Sequence, residues 1–249
     1  MKHPNSVLIT GAGRGMGTEL AKAYSRPGAH VFLCDLGKEG LEHACAECEK
    51  LGGEAHGSVV DVTDAAAMER WILAADDSRP LDLVIVNAAI SHGNMRKEET
   101  AEEVRSVFAV NIDGMLNSVL PILPRFRARG RGQIALMSSL AGLRGFPHAP
   151  SYSASKAAVR IFGQGLRARL QREGVVVSVV IPAFVKTPMT AGNLYHMPFV
   201  LEADRAAQII RKKLAKGKSE FVFPRPYDAV AWGLRAFPPA LWAFFTRVK

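Results

Sequence analysis

The sequence predicts an α/β protein built as one doubly wound domain, a parallel sheet with helices on both faces. Three observations carry that expectation. Short β-branched runs alternate with longer amphipathic stretches from end to end, no Pro/Gly/Ser-rich linker divides the chain, and a glycine-rich turn follows the first strand-like run directly. At roughly 150 residues per domain, the 249 residues would accommodate one or two domains. The unbroken alternation favours one, spanning 1–249.

The elements follow in order. A strand over 7–10 leads through the glycine turn into a helix over 15–25. A strand over 30–34 precedes a helix over 38–51, and a strand over 55–60 precedes a helix from 64 to about 75. A strand over 83–87 is followed by one long helix from about 102 to 126. Next come a strand over 133–138, a helix over 155–173 and the most apolar strand, 175–181. In the last periodic helix, EADRAAQIIRKKLAK, acids precede bases, as the helix dipole favours, and EFVF closes the series. Near-continuous apolar strands separated by helical stretches imply a parallel sheet covered on both faces.

Composition excludes several classes. With 48% hydrophobic and 22% charged residues the chain is neither disordered nor collagen-like. No apolar stretch is expected to reach the ~20 residues of a membrane span, and no secretory signal is read, so a cytoplasmic location is expected. Three cysteines read as reduced thiols. Cys45 and Cys48 form a lone CxxC without the further ligands a zinc site needs, so they are read as small side chains along one helix face, and no metal is expected. The formal net charge of +9 would suit nucleic acid or an anionic surface. Arg125, Arg127, Arg129 and Arg131 lack interleaved aromatics, however, and read as a solvated loop, so nucleic acid is not expected as a partner.

The turn Thr10-Gly-Ala-Gly-Arg-Gly-Met-Gly17 sits between a strand and a helix, the context that a dinucleotide fingerprint requires. Gly11 allows a sharp turn, Gly15 lets backbone approach a pyrophosphate, and Gly17 allows close helix–sheet packing. The helix start then offers free N–H groups to phosphate. Asp35 ends the second strand, where its carboxylate suits ribose hydroxyls. A 2′-phosphate there would meet repulsion of about 4 kcal/mol per charge pair at ~4 Å. Arg14 pulls the other way, since a guanidinium could meet that phosphate. NAD is the expected cofactor, with NADP second.

Tyr152 and Lys156 stand four apart at the start of a helix and share a face. A phenol with an ordinary pKa near 10 is a poor base at neutral pH; a neighbouring ammonium favours the phenolate, which can exchange a proton with a hydroxyl or carbonyl. Ser139 ends the preceding strand and could bond the same oxygen.

TGAGRGMG, Asp61-Val62, Asn87-Ala-Ala89, Asn111, Ser139, YSASK and Pro182…Thr187, in this order and spacing, resemble the short-chain dehydrogenase/reductase family over residues 6–187. The resemblance implies a Rossmann-type domain with a seven-stranded parallel sheet and hydride transfer to or from nicotinamide. It implies Tyr152 as general acid/base, Lys156 as the group that tunes it and holds the nicotinamide ribose, Ser139 as substrate-oxygen donor, and Asn111 as anchor of a proton-relay water. Gly11, Arg14, Gly15, Met16, Gly17 and Asp35 would contact cofactor. Asp61 and Val62 would flank its adenine, Asn87 and Ala88 its adenosine side, and Pro182, Val185 and Thr187 its carboxamide. Met16 replaces the usual Ile with similar volume. Ala89 and Ala183 stand where Gly is usual and would be strained if φ were positive there. A homodimer or homotetramer on the helices 102–126 and 155–173 is implied as well.

Residues about 183–202 would form the substrate lid, offering Phe184, Met189, Leu194, Tyr195, Met197 and Phe199; Phe146 and His148 precede the tyrosine. An apolar cleft suits a lipophilic alcohol or ketone, although the same side chains would equally serve to close the core. His148 reads as a wall rather than a proton carrier. The tail from about 225 to 249 carries Trp232, Trp242, three Phe and scattered bases around Pro238-Pro239. Packing or subunit contact is favoured over peripheral membrane contact, because the prolines interrupt an amphipathic helix. The expected function is NAD(P)-dependent alcohol dehydrogenase or ketoreductase; a non-catalytic dinucleotide sensor on the same fold is the alternative.

Overall fold

The computed structural model describes residues 3–93, 97–191 and 197–236. Its centre is a seven-stranded, all-parallel sheet in the order β3-β2-β1-β4-β5-β6-β9. These strands are β1 (Ser6–Thr10), β2 (His30–Asp35), β3 (Glu54–Val59), β4 (Leu83–Val86), β5 (Gly132–Met137), β6 (Val175–Pro182) and β9 (Glu220–Phe223). A two-residue pairing of β7 (Val185–Lys186) with β8 (Leu201–Glu202) lies outside it.

Alternate residues of the strands face opposite cores. Val7, Ile9, Leu33 and Ile85 pack with α1 (Met16–Tyr24), α2 (Lys38–Lys50) and α8 (Ala203–Ala215), through Leu20, Ala44 and Ile210. Leu8, Val84, Ile134 and Leu136 pack on the other face with α3 (Ala65–Ser78), α5 (Gly114–Val119), α6 (Leu123–Arg129) and α7 (Pro150–Leu170). Burial on both faces explains the uniformly apolar inner strands. The outer strand β3, sequence EAHGSV, is mostly exposed, because an edge strand needs no such run. The strand order reverses between β1 and β4, and the crevice at their carboxyl ends is where doubly wound sheets bind ligands.

Several elements depart from the sequence expectation. The long helix of 102–126 is α4 (Ala101–Phe108), a π-helical turn Ala109–Asp113 and α5, then a turn at 120–122 and α6. Pro121 ends the first run, since its ring cannot continue a helix, and Pro124 fits the opening turn of α6. By length and composition Ala101–Arg129 would suffice to cross a membrane, contrary to expectation. Val107, Asn111, Met115, Val119 and Phe126 are instead buried in the domain, so it packs as a core element. The helix expected over 155–173 begins five residues earlier at Pro150, which carries Tyr152 and Lys156 into its first two turns.

Of the four clustered arginines only Arg131 lies exposed in a loop, between α6 and β5; the other three do not. Arg125, Arg127 and Arg129 lie on α6, where Arg125 pairs with Asp77 (2.5 Å), Arg127 with Glu173 (2.7 Å) and Arg129 with the buried Asp76 (2.8 Å). Those partners are distant in sequence. Tail residues 226–236 form a helix, α9 (Pro226–Ala236), with Tyr227 and Ala231 buried against Ile181 and Val222; Trp232 on it is 74% exposed. Trp242, the three Phe and Pro238-Pro239 lie outside the described residues.

Candidate active site

The glycine turn folds as its backbone demands. Gly15, the N-cap of α1, has φ +58 and no side-chain cap, so the first N–H groups of the helix face the crevice. A Cβ on Gly17 would lie far inside contact distance of the Gly11 carbonyl oxygen, so this helix can approach the turn only with glycine there. Gly11 is also left-handed (φ +66) and abuts Ala88, where a Cβ would sit 2.7 Å from the Ala88 Cα. Gly17→Ala is expected to cost about 2–3 kcal/mol of stability and to weaken NADH binding more than tenfold, read by thermal melting and NADH fluorescence.

Sequence reasoning passed over Thr10. Its buried hydroxyl oxygen accepts from Asn87 N (3.1 Å) and Ala88 N (3.2 Å), while Asn87 Nδ2 donates to the carbonyls of Thr10 (3.1 Å) and Gly11 (2.9 Å). The ends of β1 and β4 are thereby locked together under the turn. A threonine ending an apolar strand was the available signal. Asp35 accepts from Gly13 N (2.9 Å) and Gly37 N (3.0 Å), so its carboxylate also shapes the turn, with further lone pairs available to hydroxyls. Arg14 is exposed and Met16 packs partly into the core. Asp61 accepts from Thr63 N (2.8 Å), and the Val62 carbonyl accepts from Asn117 Nδ2 (2.9 Å).

Beyond Pro182, the last residue of β6, Val185 lies buried on β7. Thr187 and Pro188 lie over Gly15, where a Cβ would come 3.2 Å from Pro188 and 3.3 Å from Thr187. The base of the lid therefore meets the glycine turn. Neither Ala89 nor Ala183 has positive φ, so the methyls that replace the usual glycines sit without backbone strain. Phe199, a lid residue, is the one described non-glycine residue with positive φ (53°), and it packs edge-on to Tyr227. Phe184, Met197, Phe146 and His148 are half-buried and Met189 is exposed; Leu194 and Tyr195 lie outside the described residues. Burial lowers the His148 pKa, which favours the neutral ring.

Tyr152 and Lys156 share one face of α7, with Lys156 Nζ 5.7 Å from the centre of the Tyr152 ring. Lys156 is buried and donates to the Met137 carbonyl (2.9 Å). Burial lowers its pKa from 10.5 to about 8, so at neutral pH it is still an ammonium. Ser138, beside Ser139, donates to the Lys156 carbonyl (2.8 Å) and ties α7 to the end of β5. Ser139 Oγ accepts from Ala141 N (3.1 Å), which leaves its own hydrogen to donate elsewhere. Asn111, on the π-helical turn, accepts from Ile90 N (2.8 Å) and donates to Ile90 O (3.0 Å) and Ser155 Oγ (3.0 Å). Its side chain is thus a brace between the loop after β4 and α7.

Among the described residues, one group, His30, Glu54 and His56, has metal-ligand chemistry. His30 begins β2, at the opposite end of the sheet from the crevice. Arg79 Nη2 lies 2.8 Å from His30 Nε2, and a guanidinium only donates, so the neutral ring carries its proton on Nδ1. With Nδ1 3.5 Å from His56 Nε2, ring centres 5.8 Å apart and planes within 4°, the two nitrogens point head-on. That suits one shared proton, whereas tetrahedral metal ligands converge at an angle. The thiols of Cys34, Cys45 and Cys48 are all pushed up by burial and stay protonated.

Residues 5–196 match the family model for short chain dehydrogenases. The chain belongs to the short-chain dehydrogenase family. It is 35% identical over 220 residues to an uncharacterized oxidoreductase of Myxococcus xanthus, covering 88% of this chain and 87% of that one. The ketoacyl reductase HetN of Nostoc is 32% identical over 195 residues, 78% of this chain and 68% of that one. Among solved structures, actinorhodin polyketide ketoreductase with NADPH superposes with TM-score 0.80 at 26% identity, covering 95% and 99% of the two chains. A short chain dehydrogenase of Mycobacterium paratuberculosis bound to NAD gives 0.79 at 25%, covering 90% and 97%. The family member described here is an NAD(P)-dependent oxidoreductase of CH–OH and ketone groups. The glycine turn fits such a cofactor, because Gly15 opens α1 with no side-chain cap and leaves its first N–H groups to a phosphate.

Proposed function

We propose that this short-chain dehydrogenase prefers NAD and interconverts a lipophilic secondary alcohol and its ketone, with Tyr152 as the proton carrier. The observation that carries the reading is the buried Lys156 ammonium beside the Tyr152 ring, on the helix that borders the glycine-turn crevice. Gly11, Gly15, Gly17, Asn87 and Ala88 would cradle the dinucleotide, with Arg14 and Met16 at the turn and Asp35 at the adenosine ribose. Asp61 and Val62 would flank the adenine, and Pro182, Val185 and Thr187 would meet the carboxamide. When bound, the nicotinamide supplies or accepts the hydride.

The chain's own residues handle the oxygen and the proton. Ser139 Oγ, its lone pair engaged by Ala141 N, donates to the substrate oxygen. Tyr152 Oη gives that oxygen a proton in reduction and takes one in oxidation. Lys156 stabilises the phenolate by its charge and would hold the nicotinamide ribose. Asn111, whose side chain keeps the π-helical turn fixed against Ile90 and Ser155, would anchor a relay water that restores the proton. The half-buried Phe146, Phe184 and Met197 support an apolar substrate, and relatives named for ketoacyl and polyketide ketone reduction support a carbonyl at the reacting end.

The Asp35 carboxylate, turned into the crevice by Gly13 N, favours NAD, since a 2′-phosphate near it would be repelled by about 4 kcal/mol. Wild type is expected to bind NADH more tightly than NADPH in a fluorescence titration. Asp35→Asn, which keeps acceptors for the turn, should narrow that ratio at least ~10-fold. Tighter NADPH binding by wild type would reverse the cofactor assignment. A homo-oligomer is supported by the exposed Phe108, Leu120 and Ile161, on or next to the helices between residues 101 and 170. A cytoplasmic location goes with this reading.

A further inference from the structure

We infer that Glu99 is a positioning residue for Tyr152, clamping the first turn of the catalytic helix from the loop that precedes α4. The inference rests on the role proposed for Tyr152. Helix α7 opens poorly by itself: its N-cap, Ala149, offers no side-chain acceptor, and Pro150 at its first position has no N–H. The first N–H it presents is that of Ser151, which donates to Glu99 Oε2 (3.0 Å), while Ser151 Oγ donates to Glu99 Oε1 (2.5 Å). Glu99 thus supplies, from 52 residues away, the cap that the local sequence lacks. Its negative charge also sits at the positive end of a 21-residue helix.

The clamp is held rigid in turn. Thr100 and Glu103 form a reciprocal capping box at the start of α4, and Lys97 Nζ lies 2.6 Å from Glu103. The same loop meets α7 at two further points. Gly93 abuts Ala149, where a Cβ would come within 2.6 Å, and Ile90 is tied through Asn111 to Ser155. Ser151 and Tyr152 are adjacent, so the Glu99 bonds act one residue from the phenol. Displacement of a reacting group by about 1 Å can cost on the order of 100-fold in rate.

The test combines a readout that needs no substrate with one that does. In Glu99→Ala, hydrogen exchange of the Ser153–Lys156 amides is expected to quicken at least ~10-fold, with the rest of α7 unchanged. With NADH and the best ketone of a substrate panel, kcat per NADH-binding site should fall at least ~10-fold, while KM and NADH affinity stay within about twofold. Glu99→Gln keeps an acceptor at the same reach and should restore most of both. Ser151→Ala, which keeps the backbone donor, should fall between and guards against a poorly folded Glu99→Ala. Unchanged exchange and kcat in Glu99→Ala would overturn the assignment, as would losses of kcat, KM and NADH affinity in common proportion. If wild type itself turned over no ketone or alcohol, the oxidoreductase reading would fail while the exchange result still judged the clamp.

Discussion

Tyr152→Phe is expected to lower kcat by roughly 1,000-fold or more while leaving NADH affinity within about twofold, because only the proton-carrying oxygen is removed. The aromatic ring that faces Lys156 at 5.7 Å remains, so the packing of the first turns of α7 is retained. Ser139 still donates to the substrate oxygen, and residual turnover reflects that bond and the bound geometry. Steady-state rates at saturating NADH, paired with a fluorescence titration, separate the chemical loss from a binding loss. A variant that keeps more than about a tenth of the wild-type rate would mean that another group carries the proton.

Lys156→Met is expected to make the protein more stable and nearly inactive. Burial lowers the lysine pKa from 10.5 to about 8, so keeping it charged at neutral pH costs the fold about 3 kcal/mol. Methionine fills similar space without that cost, although it forfeits the charge-assisted bond to the Met137 carbonyl, worth about 2 kcal/mol. The net gain of about 1 kcal/mol corresponds to a Tm rise of about 3 °C. Below about pH 8 the lysine is protonated in both states and the full penalty applies, whereas between about 8 and 10.5 the unfolded chain binds more protons and wild type gains on the variant. The stability difference should therefore shrink across that window, which denaturant melts at a series of pH values would read. A variant less stable than wild type at neutral pH would show that the Met137 bond outweighs the buried charge.

Much of this was legible in the sequence because backbone constraints dictate residue type. A strand meeting a helix over a phosphate cradle admits only glycine at positions 11 and 17, and Asp35 marks the end of the next strand. The sheet was readable because six of the seven strands are runs that burial on both faces requires; β3, at the edge, was read from β-character alone. The sequence places the start of α7 five residues late, since Pro150 and three serines are weak helix formers whose helix depends on contacts elsewhere. The break at Pro121 was written in the chain, but the apolar period continues through it into α6. What stayed hidden are long-range polar pairs: Thr10 with Asn87, Arg129 with Asp76, and Glu99 with Ser151. No periodicity encodes which carboxylate meets which helix.

A crystal structure of the NADH complex tests the central assignment most directly. The account predicts the adenosine ribose against Asp35 and the nicotinamide ring beside Tyr152 and Ser139, with room for a carbonyl carbon about 3–3.5 Å from the hydride-bearing carbon. A nicotinamide turned away from Tyr152, or a dinucleotide seated outside the glycine turn, would contradict it.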